Sequence, residues 1–379
     1  MQPPPPSPTL VTQPGDPTTP AAHRIEQADD LGQSRVRQHT VRWIGWLAAG
    51  LLGTLVGGVA LGAVTVSPDT VLRIVGHHLV GLPSEVTWSA AHDAIVWKVR
   101  VPRVLLGAAV GAGLAIAGVA LQAMVRNVLA DPSLIGVTSG ASTGAAAAIL
   151  FGAGAAFGAY ALTASAFLGA LGASLLVFVV ARAGGRVTSV RLLLSGVAVG
   201  YALSAATTFL IFASPNPEGA RSVLFWLLGT LSLARWSPAL ALVLAIVALT
   251  GALLLLAGRQ LDALAIGDET AHTLGIAPAR ARVRLLLIVS LCVGAVVAAA
   301  GGIGFVGLII PHVARRAVGG VHRRVLPVAA LIGATFLVWA DVIARSALAP
   351  RELPIGILTA LVGAPLLLLL VRRLHAATD

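Results

Sequence analysis

Apolar residues in this chain come in long, nearly unbroken runs, separated by short clusters of arginine, proline and glycine. The runs fall at about 44–65, 104–124, 134–151, 157–181, 191–213, 236–257, 285–300, 303–311, 326–348 and 354–371. A run of 18 or more such residues, wound as a helix, crosses about 30 Å of hydrocarbon. Nowhere does the pattern alternate with the period of two that a half-buried strand needs, so helices rather than a barrel satisfy the backbone in lipid. The stretch 285–311 requires a choice. As one helix it would put Arg280, Arg282 and Arg284 on one side of the membrane and Arg315 and Arg316 on the other. Gly301, Gly302 and Gly304 interrupt it, which predicts two shortened helices joined by a glycine turn, with both basic clusters on the same side. The pattern therefore predicts an all-α polytopic membrane protein of about ten transmembrane helices with short cytoplasmic helices between them, occupying residues 43–379. Residues 1–42 begin MQPPPPSPTLVTQPGDPTTP and hold no apolar run, which predicts a disordered Pro-rich cytoplasmic tail. They lack the basic start and apolar stretch of a secretory signal.

Composition sharpens this picture. Hydrophobic residues make up 57% of the chain and charged ones 11%, and the mean hydropathy is +0.91, too little polar surface for a soluble domain. A net charge of +11 raises the question of nucleic acid. The basic residues, however, punctuate the apolar runs, which is how membrane topology is written, and no nucleic-acid partner is expected. With the N-terminus inside, 18 Lys and Arg fall on the cytoplasmic side and 8 on the outer side. This bias predicts a multi-pass protein of the cell (inner or plasma) membrane with both termini cytoplasmic. The single cysteine, Cys292, lies inside an apolar run and reads as a packing residue without partners for a thiolate metal site.

Four polar or glycine-rich segments carry further information. The first is Val99-Arg100-Val101-Pro102-Arg103, followed by Gly107, Gly111, Gly113 and Gly118 at near-helical spacing, then Gln122, Arg126-Asn127 and Asp131-Pro132. Small residues so spaced let helices approach closely or line a pathway, and the sequence does not separate the two. The second, Leu261-Asp262-Ala263-Leu264-Ala265-Ile266-Gly267-Asp268-Glu269 with Ala271, Leu274 and Gly275, is too polar to span and reads as two short helices around Gly267. The third is Gly304-Phe305-Val306-Gly307-Leu308-Ile309-Ile310-Pro311-His312. The fourth runs from Asp341 to Arg345 and on through Glu352-Leu353-Pro354-Ile355-Gly356 to Gly363-Ala364-Pro365. His312 has no second ligand at metal spacing and is expected to cap a helix end.

In order and spacing, these four segments resemble the permeases of the iron-siderophore, haem and cobalamin importers, the type II ABC importers, from Trp97 to Arg373. Departures are local: Val128 stands where that family commonly has proline, Asp262 replaces a frequent asparagine, and Leu367 replaces a common aromatic. The resemblance implies a homodimer, or a pairing with a similar permease, around a central pathway in membrane lipid. It also implies two copies of an ABC ATPase below and an extracytoplasmic substrate-binding protein above. By the same resemblance Arg100, Arg103 and Arg345 meet carboxylates of the binding protein, a role that suits arginine forks at a rim. The alternative is snorkelling to headgroups, with Arg345 pairing to Asp341 one turn away. Residues 261–276 are expected to couple to the ATPase, because Leu261, Leu264, Ile266 and Leu274 would otherwise be left exposed.

The residues also bear on who hydrolyses ATP. Lys98 is the only lysine and lies on the outer side, so no phosphate-cradling loop with its lysine exists in this chain. The expectation is a transporter subunit without cofactor or metal, moving an iron-siderophore or related chelate, with haem and cobalamin open as substrates. An ion-coupled secondary transporter is the rival, and it would carry ionisable groups at mid-membrane; the runs here contain almost none.

Overall fold

The computed structural model describes residues 33–375 except 63, 184 and 186. Two units divide it, 1–42 and 43–379. Most of the expected disordered tail lies outside the described residues, but its end differs from expectation: helix α1 (Gln33–Ala60) already begins at Gln33. The apolar run that starts near Ile44 extends backwards through residues with no helix breaker, so the helix starts before the membrane-competent stretch does.

The order of elements continues with α2 (Pro68–Val80), the short α3 (Ala90–Asp93), a π-helical turn (Ala94–Arg100), and α4 (Val101–Val125). Next come α5 (Val137–Phe151), α6 (Ala161–Ala183), α7 (Ser189–Ala213), α8 (Pro217–Leu227) and α9 (Pro238–Leu256). The chain ends with α10 (Gly258–Ile266), α11 (Asp268–Thr273), α12 (Pro278–Ala300), α13 (Val306–Val318), α14 (His322–Ser346) and α15 (Ile355–His375). No strand occurs among the described residues. Each of the ten apolar runs forms a helix. Seven of these helices are long and apolar enough to cross a bilayer alone, while Val137–Phe151 and Ile355–Leu369 are shorter apolar helices and α13 is shorter still.

Helix α4 is the hub. Almost every residue of it is buried, and α14, α12, α13, α9 and α10 all pack against it. Its glycine stripe is what makes this possible: a Cβ at Gly111 would strike the carbonyl of Gly333 on α14, and one at Gly118 would strike that of Gly307 on α13. Between helices in lipid, close backbone approach replaces the hydrophobic drive that water would supply. The stripe is therefore a packing device.

The break in 285–311 occurs as expected. Helix α12 stops at Ala300, Gly301 adopts φ 72°, Phe305 takes the left-handed φ of 69°, and α13 then begins. At Gly301 a side chain would also collide with the carbonyl of Trp226, so only glycine fits. The turn brings both basic clusters to one end of α4: Arg282 bonds Met124 O at 3.0 Å and Arg315 bonds Gln122 Oε1 at 2.5 Å.

Candidate functional site

Two polar constellations mark the two ends of α4. At the C-terminal end, the buried fork of Arg282, 1% exposed, ties four elements together. Its Nε donates to Met124 O (3.0 Å), Nη2 to Ser189 Oγ (2.9 Å), and Nη1 and Nη2 to the two carboxylate oxygens of Asp268 (2.9 and 2.5 Å). Ser189 Oγ in turn donates to Met124 O at 3.1 Å. The Arg282 guanidinium holds the Asp268 carboxyl below its ordinary 3.8. Asp268 and Glu269 open α11, where the helix dipole favours negative charge.

A second tether lies at α10. Asp262 Oδ1 accepts from the backbone N–H of His322 (2.9 Å) and lies 2.6 Å from its Nδ1. It thereby caps α14 from a distant part of the chain, since Val321 at that helix start provides no side-chain cap. Burial pushes the Asp262 carboxyl up, but the bonds from His322 outweigh it and hold the group below its ordinary value.

These tethers sort the segment 261–276. Leu261, Leu264 and Ala271 are 0% exposed and belong to the core, whereas Ile266 and Leu274 are 68% and 63% exposed. The expectation that all the leucines here face a partner is thus corrected. The helical period turns Leu261 and Leu264 inward beneath α10, and Ile266 outward. Gly267, buried, joins α10 to α11, and Gly275 turns the chain at φ 74° toward α12, with Ile276 N bonded to Ala271 O at 2.9 Å. What is presented outward is a pair of apolar side chains on a rigid base, with Glu269 beside them.

Around it, Gln122 is a buried staple. Its Nε2 donates to Ala130 O (3.3 Å) and Leu308 O (3.1 Å), and its Oε1 accepts from Arg315. Asp131 Oδ1 accepts from Ser133 N–H at 2.9 Å and so caps the turn Pro132–Ile135. His312 lies inside α13, not at a helix end, which corrects the capping expectation. Cys292 is buried with Sγ 3.8 Å from Gly113 O. The sequence reading used Arg282 only as a topology charge, and the tethering roles of Arg282 and His322 escaped it. The available signal for Arg282 was its position among inward-facing residues of α12, Ala281, Leu285 and Leu286.

At the other end, the three arginines expected to face a docked protein are buried and internally bonded. Arg103 forks onto two carboxylates: Nε to Asp341 (3.0 Å), Nη2 to Asp341 Oδ1 (2.9 Å), and Nη1 and Nη2 to Glu352 (both 2.9 Å). Arg100 Nη1 donates to Val59 O (2.8 Å) and Ala60 O (3.0 Å), and its Nη2 to Val64 O. Arg345 Nε lies 3.5 Å from Asp341, and its Nη2 donates to Gly58 O. Arg100 and Arg345 therefore receive carbonyls at the end of α1, which a helix C-terminus leaves without partners. In this conformation the free donors expected at the rim are taken up inside. The group this constellation offers to solvent is Glu352, whose side chain is 44% exposed. Asp341 acts as the buried ion-pair partner, as its position suggested.

Between the two ends, Leu227, Leu228, Phe305, Gly356, Leu361 and Pro365 line part of an open groove of about 680 Å³.

Comparison with known proteins places this geometry in context. Residues 50–373 match the sequence profile described as the FecCD transport family. The cobalamin import system permease protein BtuC of Halobacterium salinarum is 46% identical over 280 residues, which cover 74% of this chain and 74% of that protein. The hemin transport system permease protein HmuU of Yersinia pestis is 39% identical over 292 residues, 76% of this chain and 86% of that one. A solved structure described as an inward-facing conformation of a metal-chelate type ABC transporter is similar with a TM-score of 0.75 and 34% identity. It covers 87% of this chain and 98% of that chain.

Proposed function

We propose, from the premise that this chain belongs to the FecCD transport family, that it carries a large metal-bearing chelate into the cytoplasm on energy from separate ATPase subunits. That it is the membrane-spanning permease subunit of an ABC importer follows from the family and from relatives matched over most of both chains. The relatives named above import cobalamin and hemin. Both are organic chelates of one metal ion, and a ferric siderophore belongs to the same chemical class. For the present chain we therefore infer such a chelate, with ferric siderophore, haem and cobalamin as the candidates.

The observation that carries the coupling part of this reading is the base under α10 and α11. Arg282 and His322 fasten that segment to α4, α7, α12 and α14, while Ile266 and Leu274 stay outside. A lever needs this combination: rigid attachment to the spanning helices and an apolar tip for a partner. Two copies of an ABC ATPase would seat on two such tips, one from each permease of a homodimer or of a pair with a similar permease. An extracytoplasmic binding protein would approach the opposite end. There a carboxylate of that protein could engage Arg103 only by displacing Glu352.

The test is uptake in cells with and without this chain, using labelled cyanocobalamin, hemin and a ferric siderophore in separate arms. We expect chain-dependent accumulation of one of them, lost when the cognate ATPase is removed. Uptake that survives loss of the ATPase but collapses with the ion gradient would assign the chain to ion-coupled transport instead.

A further inference from the structure

At the arginine-rich end of the molecule, α6 and α12 lie side by side and open a cavity of about 440 Å³. Its lining includes Phe178, Arg182, Val187, Arg280, Val283 and Arg284. The three arginines are exposed, and among the described residues none of them pairs with a carboxylate. Of the two nearest acids in sequence, Asp268 and Glu269, the first is taken by Arg282. Arg182 instead stands over the ring of Phe178, 5.9 Å from its centroid. Three uncompensated guanidinium groups around one cavity repel one another unless an anion joins them.

What lies beside the cavity narrows the kind of anion. On α12, Arg280, Arg284 and Leu287 follow one another at i, i+4 and i+7 and so share a face; Leu287 is 64% exposed. On α6, Leu175, Val179 and Arg182 share a face in the same way, and Leu175 and Val179 are exposed too. Charge at the helix ends thus gives way, along the same faces, to bare aliphatic side chains on helices long and apolar enough to cross a bilayer. That is the profile of an amphiphile with an anionic head. A free anion has no use for the aliphatic part, and a soluble acidic partner does not reach it.

We propose that this cavity holds the phosphate of an anionic phospholipid, with Arg182, Arg280 and Arg284 around the headgroup and an acyl chain along Leu175, Val179 and Leu287. Arginine forks match phosphate oxygens two at a time, and basic pockets between transmembrane helices suit such headgroups. The site is independent of the coupling segment and of the substrate.

The experiment uses the full chain purified from mixed phosphatidylglycerol and phosphatidylcholine vesicles, with the retained lipids quantified by mass spectrometry. Phosphatidylglycerol should be enriched over its share of the vesicle. In the triple variant Arg182→Gln, Arg280→Gln, Arg284→Gln that enrichment should fall by about tenfold or more, while the double variant Arg221→Gln, Arg235→Gln retains it. Equal retention of the two lipids, or an unchanged triple variant, overturns the proposal. Should the triple variant not fold, the wild-type chain still decides: lipid displaced by millimolar inorganic phosphate would make this a free-anion site, and lipid that stays bound supports the assignment. Loss of ATPase co-purification with lipid enrichment intact would make the cluster a protein contact.

Discussion

Arg282 shows how one side chain governs a junction. Replacing it with methionine keeps the aliphatic bulk but leaves Asp268 and Ser189 Oγ without their donor, and Met124 O with the Ser189 hydroxyl alone. Removing one partner of a buried ion pair costs about 3–5 kcal/mol, and the half-exposed Asp268 places this case near the lower end. Thermal unfolding of the purified variant in detergent should show a clear drop in midpoint, with Asp268→Asn milder because an oxygen acceptor remains. The same junction predicts a pH response. Asp268 and Asp262 have folded pKa values below the ordinary 3.8, so their contribution is complete above that value and is lost as pH falls through the folded values. Protection from hydrogen exchange over 261–276, taken relative to the intrinsic rate at each pH, should therefore be high at neutral pH and fall once the pH drops below the ordinary carboxylate value of 3.8; protection that is indifferent to acid would remove both carboxylates from the account. Arg103 gives the opposite-end counterpart. Arg103→Glu would set three carboxylates together with Asp341 and Glu352, so we expect loss of folded protein rather than a clean docking defect, measured as yield of monodisperse chain after membrane extraction.

At the scale of elements, α10 and α11 separate fold from coupling. Leu264→Asp buries a charge in the core and should abolish stable insertion, since an unpaired buried charge is among the costliest substitutions. Leu274→Asp and Ile266→Asp alter only exposed positions, so the permease should insert normally and fail to retain the ATPase. Co-purification scores the difference; if all three variants behave alike, the base-and-tip description is wrong. Helix α4 makes a second element-level case. Gly118→Val places side-chain atoms where the Gly307 carbonyl sits, and overpacking of this kind costs typically 1–3 kcal/mol or more. A lowered melting midpoint, together with new protease cleavage between α12 and α13, is the expected result.

For the whole molecule, the charge count leads us to expect both termini in the cytoplasm. Reporter fusions after Asp379 and within 70–95 should report opposite sides. Purified chain should bind no nucleotide, as Lys98 is its only lysine and no phosphate loop accompanies it. The all-helical class, the ten apolar helices, the glycine break after Ala300 and the family resemblance were all legible in the sequence. Each depends on local composition or on spacing along one chain: hydrocarbon demands runs of a set length, and a turn of positive φ demands glycine. The beginning of α1 at Gln33 was not legible, because the polar residues ahead of the apolar run carry no stop signal. Nor was the inward burial of Leu261, Leu264, Arg100 and Arg103, for a different reason. A leucine or an arginine between spans reads the same whether its partner is another protein or a carbonyl 40 residues away, as with Arg100 and Ala60. Sequence by itself determined which segments enter lipid and which kind of transporter they build. Only the tertiary structure decided which polar groups are already satisfied within the chain and which, like Ile266, Leu274 and the Arg182–Arg280–Arg284 cluster, are left for something else, because that depends on distances across the fold.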